Sequence, residues 1–524
     1  MTSTSAPDGA SGPASSDLIE ALRRRLQSQT GRAVRVVETH ISWVLLDGRH
    51  AWKIKKPVRL GFLDFAELET RRRYCFEELR LNRRLAPEIY EAVVAVRGSP
   101  QDPRLDVDDA CDDDPPIEYA LRMKQFAAGA LLSEKIADGS VEASQIDRFA
   151  RRIAAFHESA ARAGPDSRHG SPEEIAATIA QLLDGLDAQL GAGRCAELRV
   201  WLDAQCRGLR SVFERRRVDG WIRECHGDLH LANVVVLDEQ VTAFDCIEFD
   251  PALRWIDVQC DIAFLFMDLV AHERADLAYR FLDAWLQHSG DHAGVAVLRF
   301  YAVYRALVRT LVAAIRRTQG FDAGGADYLA LAGRLARERA PRLLITHGLS
   351  GSGKSFVAQR LLERSGAIRL RSDVERKRLF GLRALERSAA RIDGGIYGPE
   401  ATRRTFGRLR ELASGLLEAG WPVIVDATFL RAGERRAFAD LARELGVPFS
   451  ILHCHADPEL LRQRVKAREA AADDPSEADL AVLERQLAGH DALDEVERAH
   501  AIDVDTGRPT DIDDIALRWT AASN

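Results

Sequence analysis

No two cysteines of this 524-residue chain stand at C-x-x-C spacing, and no cysteine–histidine cluster has the spacing of a zinc site. The eight cysteines are scattered, which reads as free thiols of a reducing compartment rather than a disulfide framework. There is no excess of positive charge either. The formal net charge is −7, which disfavours a globally basic nucleic-acid binder and leaves room only for a local basic patch. Long apolar runs are missing: the longest, around Ile262 to Ala271, is interrupted by Asp268 and is too short to span a bilayer. No internal repeat of solenoid or propeller spacing occurs. The segment Met1 to Asp17 is Ser, Ala, Gly and Pro, with neither a basic start nor an apolar run, so it is expected to be a floppy tail rather than a signal peptide. Together these absences point to a cytosolic protein without a membrane partner.

The apolar fraction of 46% and charged fraction of 29% are those of an ordinary globular protein, and the length suggests two or three domains. The expected division is a tail at 1–16, a first domain at 17–325, a linker helix at 326–340 and a second domain at 341–524. In the first domain Ser42 to Lys56 reads as strand, turn at Asp47-Gly48, strand. Leu63 to Leu85 reads as a helix, and Ile89 to Val96 and Ile117 to Phe126 as two more strands. The acidic stretch Gln101 to Pro116 between them is expected to be a solvated hairpin tip. Helices are expected over 144–217, strands over 225–249, and helices again over 257–318, before a Gly-rich linker signal at 320–325. Beyond residue 341 strands alternate with helices, which implies a parallel sheet covered on both faces.

The chemistry is most explicit at Gly348-Leu-Ser-Gly-Ser-Gly-Lys-Ser355, a complete G-x-x-x-x-G-K-[ST] between an apolar strand and a helix. Glycines at 348, 351 and 353 let backbone amides, including those of Ser350 and Ser352, curl around phosphate oxygens at a helix N-terminus. Lys354 reaches the β- and γ-phosphates of ATP in such a loop, and the Ser355 hydroxyl holds Mg²⁺. Asp373 and Asp426 follow the next strands, at the sheet end where ligands bind in open parallel sheets. Asp426 is expected on the Mg²⁺ side and Asp373 as the base that orients an acceptor hydroxyl, although Asp also serves as a helix cap after a strand. Arg464 and Arg468 lie four apart on an expected helix and so share a face, suited to closing over a transferring phosphoryl group. The stretch Arg369 to Arg391 holds eight basic residues against three acids, with Arg376 three residues beyond Asp373, which suggests an anionic acceptor. From these motifs the segment 341–524 resembles P-loop kinases of small molecules and polynucleotides, including gluconate-kinase-like, polynucleotide 5′-kinase and zeta-toxin-like proteins. The resemblance leaves the acceptor open.

A second constellation lies at His226-Gly-Asp228-Leu-His-Leu-Ala-Asn233, which fits H-x-D-x-x-x-x-N. There Asp228 steers the acceptor hydroxyl proton, Asn233 binds Mg²⁺ and His226 braces the loop. A short hairpin follows and ends at Asp245, placing a further Mg²⁺ ligand beside Asn233. Lys53 and Lys55 alternate with Trp52 and Ile54 and share one strand face. One of them is expected to meet the nucleotide phosphates and Glu78, with Lys53 preferred. No G-x-G-x-x-G precedes them, and Cys246-Ile247 follows Asp245 where a protein kinase has Phe-Gly.

With those departures, residues 35 to 310 resemble the aminoglycoside-phosphotransferase-like family rather than protein kinases. The resemblance implies a protein-kinase-like bilobal fold, with a five-stranded N-lobe and a helical C-lobe, ahead of the P-loop parallel sheet. It also implies a structural role for Asp261. Cys225 and Cys246 read as buried thiols, and His453 and His455 as non-metal residues. The leading functional expectation is a bifunctional phosphotransferase that moves the γ-phosphoryl of Mg·ATP to small-molecule hydroxyls. Two alternatives stand beside it. In one, only the P-loop half is active and the N-terminal half binds substrate or regulates. In the other, the P-loop half is a nucleotide-gated switch or a nucleic-acid-end kinase.

Overall fold

A computed structural model describes residues 16–60, 63–106, 114–318, 325–388, 395–471 and 474–522. The N-terminal tail up to residue 15, the acidic run 107–113, most of the 320–325 linker signal and Arg391 lie outside the described residues. The chain divides into two compact units. One gathers residues 1–141, 160–169 and 222–256; the other gathers 142–159, 170–221 and 257–524.

The first unit is built on an antiparallel six-stranded sheet. Its spatial order is Arg35–Glu38, Ser42–Leu46, His50–Lys55, Glu118–Lys124, Tyr90–Gly98 and Pro103–Asp106. Five strands were expected; the sixth, Pro103–Asp106, comes from the acidic stretch, whose first residues fold back onto Arg97 and Val96 as a strand. The period of two sorts the side chains. Trp52 and Ile54 face a core that also holds Leu18, Leu22 and Leu26 of the helix Ser16–Thr30, an amphipathic element outside the sequence expectations. Lys53 and Lys55 therefore share the opposite face. The helix expected over 63–85 is shorter, Leu68–Asn82, because Leu63–Asp64 pairs as a two-residue strand with Arg59–Leu60. The hairpin Val234–Leu237 and Gln240–Ala243 turns at Asp238, which adopts φ 52°.

The second unit contains a fully parallel five-stranded sheet. Its order is Ile368–Arg371, Val423–Asp426, Leu343–His347, Phe449–His455 and Ala501–Asp505. Leu343–His347 and Val423–Asp426 are buried along their whole length, as strands covered on both faces must be. The last strand, too polar to stand out in the sequence, pairs with Phe449–His455. The helices Val258–Ala271, Ala275–Ser289 and Val295–Thr318 belong to the same unit. Ala275–Ser289 packs on the helix Lys354–Ser365 and on the edge strand Ile368–Arg371, which shields that edge from pairing with another chain. Among the described residues no helix is long and apolar enough to cross a membrane.

Candidate active sites

In the second unit the chain turns from Leu343–His347 into the helix Lys354–Ser365 through the glycine loop. Gly351 adopts φ 82°, and a Cβ there would stand 2.7 Å from the Leu461 carbonyl oxygen. Gly348 is more constrained still, since its Cβ would meet the Cys454 carbonyl oxygen at 2.2 Å. Only glycine fits either position. Lys354 donates from Nζ to the Leu349 carbonyl oxygen at 2.8 Å. Burial lowers its pKa, with the Asp426 carboxylate opposing that shift. The Ser355 hydroxyl donates to Asp426 Oδ1 at 3.2 Å. Asp426 Oδ2 is buried and has no hydrogen-bond partner, while Arg369 and Arg371 each approach it to only 3.8 Å.

One cavity of about 700 Å³ brings Lys354, Ser355, Asp373, Asp426, Arg464 and Arg468 together, residues spread over more than a hundred positions. Ser350, Gly351, Gly353 and Arg376 also line it. Gly348 and Ser352 do not; Ser352 is buried under the loop with its hydroxyl unpartnered. Asp373 sits in the first turn of the helix Ser372–Leu379, which carries Arg376 one turn on. Arg376 is anchored by the Ile396 carbonyl at 3.0 Å and the Thr402 hydroxyl at 3.2 Å, and lies over the Tyr397 ring. Arg464 donates to Thr506 Oγ1 at 2.9 Å and to the Thr506 carbonyl at 2.7 Å, and Arg468 to the Ala478 carbonyl at 2.6 Å.

Two partners of the loop have no sequence signal. Gln486 accepts the Ser350 amide on Oε1 at 2.8 Å, and Thr506 packs against Gly353. The basic stretch after Arg369 is mostly consumed internally. Lys377 pairs with Glu477 at 3.1 Å, Arg371 with Asp474 at 3.3 Å, and Arg378 with Glu375. Arg383 and Arg387 of the same stretch are exposed. His347 and His453 meet through their Nδ1 atoms at 2.8 Å, and His455 Nε2 lies 3.1 Å from Asp503. No grouping of three metal-ligating side chains among the described residues includes them.

In the first unit Glu78, fully buried, accepts from both lysines: Lys53 at 2.7 Å and Lys55 at 2.6 Å. They then diverge. Lys53 reaches Asp245 Oδ1 at 2.7 Å, whereas Lys55 is enclosed and pairs with Glu248. Burial works against the charge on Lys53, but Asp245 and Glu78 outweigh it and raise its pKa well above the usual value. Burial likewise opposes ionisation of Glu78, yet the two ammonium groups hold its carboxyl below the ordinary range. The geometry separates the roles left open by the sequence: Lys53, 13% exposed, faces the carboxylate at the hairpin end, and Lys55, 1% exposed, is a buried strut.

The loop residues are held by short-range bonds. Asn233 Nδ2 donates to Asp228 Oδ2 at 2.8 Å and to the Asp228 carbonyl at 3.0 Å. His226 accepts the Asp228 amide on Nδ1 at 3.3 Å and donates from Nε2 to the Phe244 carbonyl at 3.0 Å, so it braces the loop against the hairpin. Phe244 pairs with Asn233 through its amide, which places Asp245 one residue beyond the position opposite Asn233. Asp245 adopts φ 63°, a left-handed conformation unusual outside glycine. Its amide donates to the Tyr90 hydroxyl at 3.1 Å, and that of Cys246 to Asn82 Oδ1 at 2.9 Å. Tyr90, Asn82 and Glu248 support the site without any motif to announce them. Asp261 is fully buried and lies 3.0 Å from His157 Nε2, which makes it a brace of the helical core in the second unit.

The carboxylate and amide sets suit Mg²⁺. Asp426 Oδ2 is an acceptor with no donor, beside a serine hydroxyl, and Asp245 is 44% exposed at the end of its hairpin.

An uncharacterized protein of Mycobacterium tuberculosis is 29% identical over 500 residues, spanning 93% of this chain and 96% of its own. An uncharacterized protein of Mycobacterium bovis matches to the same extent. Among solved structures, a choline/ethanolamine kinase family protein from Mesorhizobium loti covers 61% of this chain and 93% of its own at 18% identity, with a TM-score of 0.37. A sugar kinase from Janibacter sp. HTCC2649 covers 34% of this chain and 93% of its own at 21% identity, with a TM-score of 0.26. At these scores neither structure bears on the chemistry. The family match falls on residues 343–493, which hold the glycine loop, Asp373, Asp426 and both cavity arginines, and the family is the one described as the AAA domain.

Proposed function

We propose that the protein is a bifunctional ATP-dependent phosphotransferase, with one centre in each compact unit. The observation that carries this reading is the convergence of Lys354, the Ser355–Asp426 pair and Asp373 on one cavity at the mouth of the glycine loop.

In the P-loop centre the amides of 350–355 hold the terminal phosphates of ATP, Lys354 exchanges the Leu349 carbonyl for a phosphate oxygen, and Arg464 and Arg468 cover the moving group. Asp373 accepts the proton of the acceptor hydroxyl as its oxygen bonds to the γ-phosphorus and the bond to ADP breaks. In the other centre Asp228 takes the proton and Lys53, held by Glu78, positions the phosphates. Mg²⁺, at Ser355 and Asp426 in one site and at Asn233 and Asp245 in the other, supplies neutralisation of the phosphate charge. Both acceptors are small hydroxyl compounds; the ion pairs of Arg371, Lys377 and Arg378 favour this over a nucleic-acid end, which needs open cationic side chains.

The test is transfer of labelled γ-phosphoryl from ATP to metabolite pools by the full-length protein. Lys354→Ala is expected to remove one set of labelled products and Asp228→Ala a different set. If Lys354→Ala removes every product, the P-loop centre is the one active kinase. If neither substitution alters ATP turnover, the reading falls.

A further inference from the structure

Arg369 lies under the metal end of the P-loop centre and is buried, 5% exposed. It donates from Nη1 to the Ser355 carbonyl at 3.2 Å, and the same nitrogen stands 3.8 Å from the unpartnered Asp426 Oδ2. A guanidinium so placed is a rival for the ligand atom that Mg²⁺ needs. A short movement would close a charge-assisted hydrogen bond and neutralise the carboxylate.

Its carboxylate partner comes from outside residues 343–493. Asp283, on the helix Ala275–Ser289, takes Arg369 Nη2 at 2.7 Å and Nε at 3.3 Å. Gln287, one turn further, donates to Asp283 at 3.1 Å and to the Arg369 carbonyl at 3.1 Å. Gln359, within that segment, accepts from the same Nη2 that Asp283 holds. Arg371 is restrained in the parallel way, by Asp474 at 3.3 Å. Both arginines are thus held by carboxylates other than Asp426, and Oδ2 stays open.

We infer that Asp283 is a positioning residue of the P-loop centre: it fixes Arg369 short of Asp426 and so keeps Asp426 Oδ2 available to Mg²⁺. This rests on the functional reading above. It also means that a helix N-terminal to residue 325 completes the P-loop metal site.

The test is calorimetric binding of ATP by the full-length protein across a Mg²⁺ titration. The parent carries Lys53→Met to silence the other centre, and addition of Lys354→Ala provides the blank. Asp283→Asn is expected to raise the Mg²⁺ half-saturation about ten-fold, since a charge at contact distance competes with the cation. Asp283→Asn with Arg369→Gln is expected to return within about two-fold of the parent, because the rival is gone. A brace with no other role would lower thermal stability in both variants without this reversal. An unchanged half-saturation in Asp283→Asn, or a double variant shifted as far as the single one, overturns the inference. If Asp283→Asn fails to fold, the double variant decides alone, and a ten-fold shift in it overturns the inference. A parent that binds no Mg·ATP removes the functional reading itself, an outcome distinct from a binding parent with unresponsive variants.

Discussion

The ammonium of Lys53 lies 2.7 Å from Oδ1 of Asp245. The two charges therefore neutralise each other, and on the proposed function Mg·ATP binding is expected to separate them. The pair links strand His50–Lys55 to the end of the hairpin 234–243.

The two lysines should separate cleanly on substitution. Lys53→Met is expected to lower the N-terminal transfer activity by about 10²–10³ while the protein stays folded. Lys55→Met leaves Glu248 buried without its cation and should cost about 3 kcal/mol of stability. Steady-state kinetics and urea denaturation of the two variants check this. Equal loss of stability in both would contradict the division of roles.

Asn233→Asp would place a second carboxylate 2.8 Å from Asp228 Oδ2. Two carboxylates that close cannot both ionise freely. The acidic limb of the pH–rate profile for the Asp228-dependent activity is expected to move up by about one unit or more. A profile that keeps its position would show that Asp228 does not titrate in that step.

Gly351→Ala combines φ 82° with a Cβ 2.7 Å from a backbone oxygen. Relief of that clash requires the loop or the Leu461 carbonyl to shift. A stability loss of more than about 1 kcal/mol is expected together with loss of ATP binding at this centre. Binding at the parental level, measured by calorimetry, would contradict the loop's proposed role.

His347 gives the stability a pH dependence. Burial first, and then the neighbouring His453, push its pKa down to about 3. The unfolded histidine has a pKa of about 6.5. Below that value the unfolded chain binds a proton that the folded chain refuses, so stability falls as pH drops from about 6.5 towards about 3. The slope contributed is up to about 1.4 kcal/mol per pH unit. His453 is shifted in the same direction by burial and adds to the trend. His347→Gln is expected to flatten the slope between about pH 6 and pH 4, read from urea midpoints. An unaltered slope would place the acid sensitivity elsewhere.

Motifs whose geometry is local were legible before any coordinates. The glycine loop needs only a strand, a turn with left-handed positions and a helix start, all within a dozen residues. The Asp228–Asn233 loop closes through bonds that span five positions. Alternation along His50–Lys55 already placed Lys53 and Lys55 on one face. Even the parallel sheet followed from short apolar strands alternating with helices, except for Ala501–Asp505, whose exposed edge carries too little hydrophobic pattern.

The pairings that give those motifs their electrostatic state were not legible. Glu248 enclosing Lys55, Gln486 on the Ser350 amide, Thr506 on Arg464 and Asp283 on Arg369 join residues from 42 to 193 positions apart. A backbone motif is written by short-range sterics, so its residues announce it. A charge partner is chosen by which helix or loop arrives beside it once the apolar faces are buried, and any Asp, Glu or Gln on that element serves. Chain-local order thus supplied the candidates, and long-range packing decided which lysine meets the hairpin carboxylate and which oxygen of Asp426 is left open.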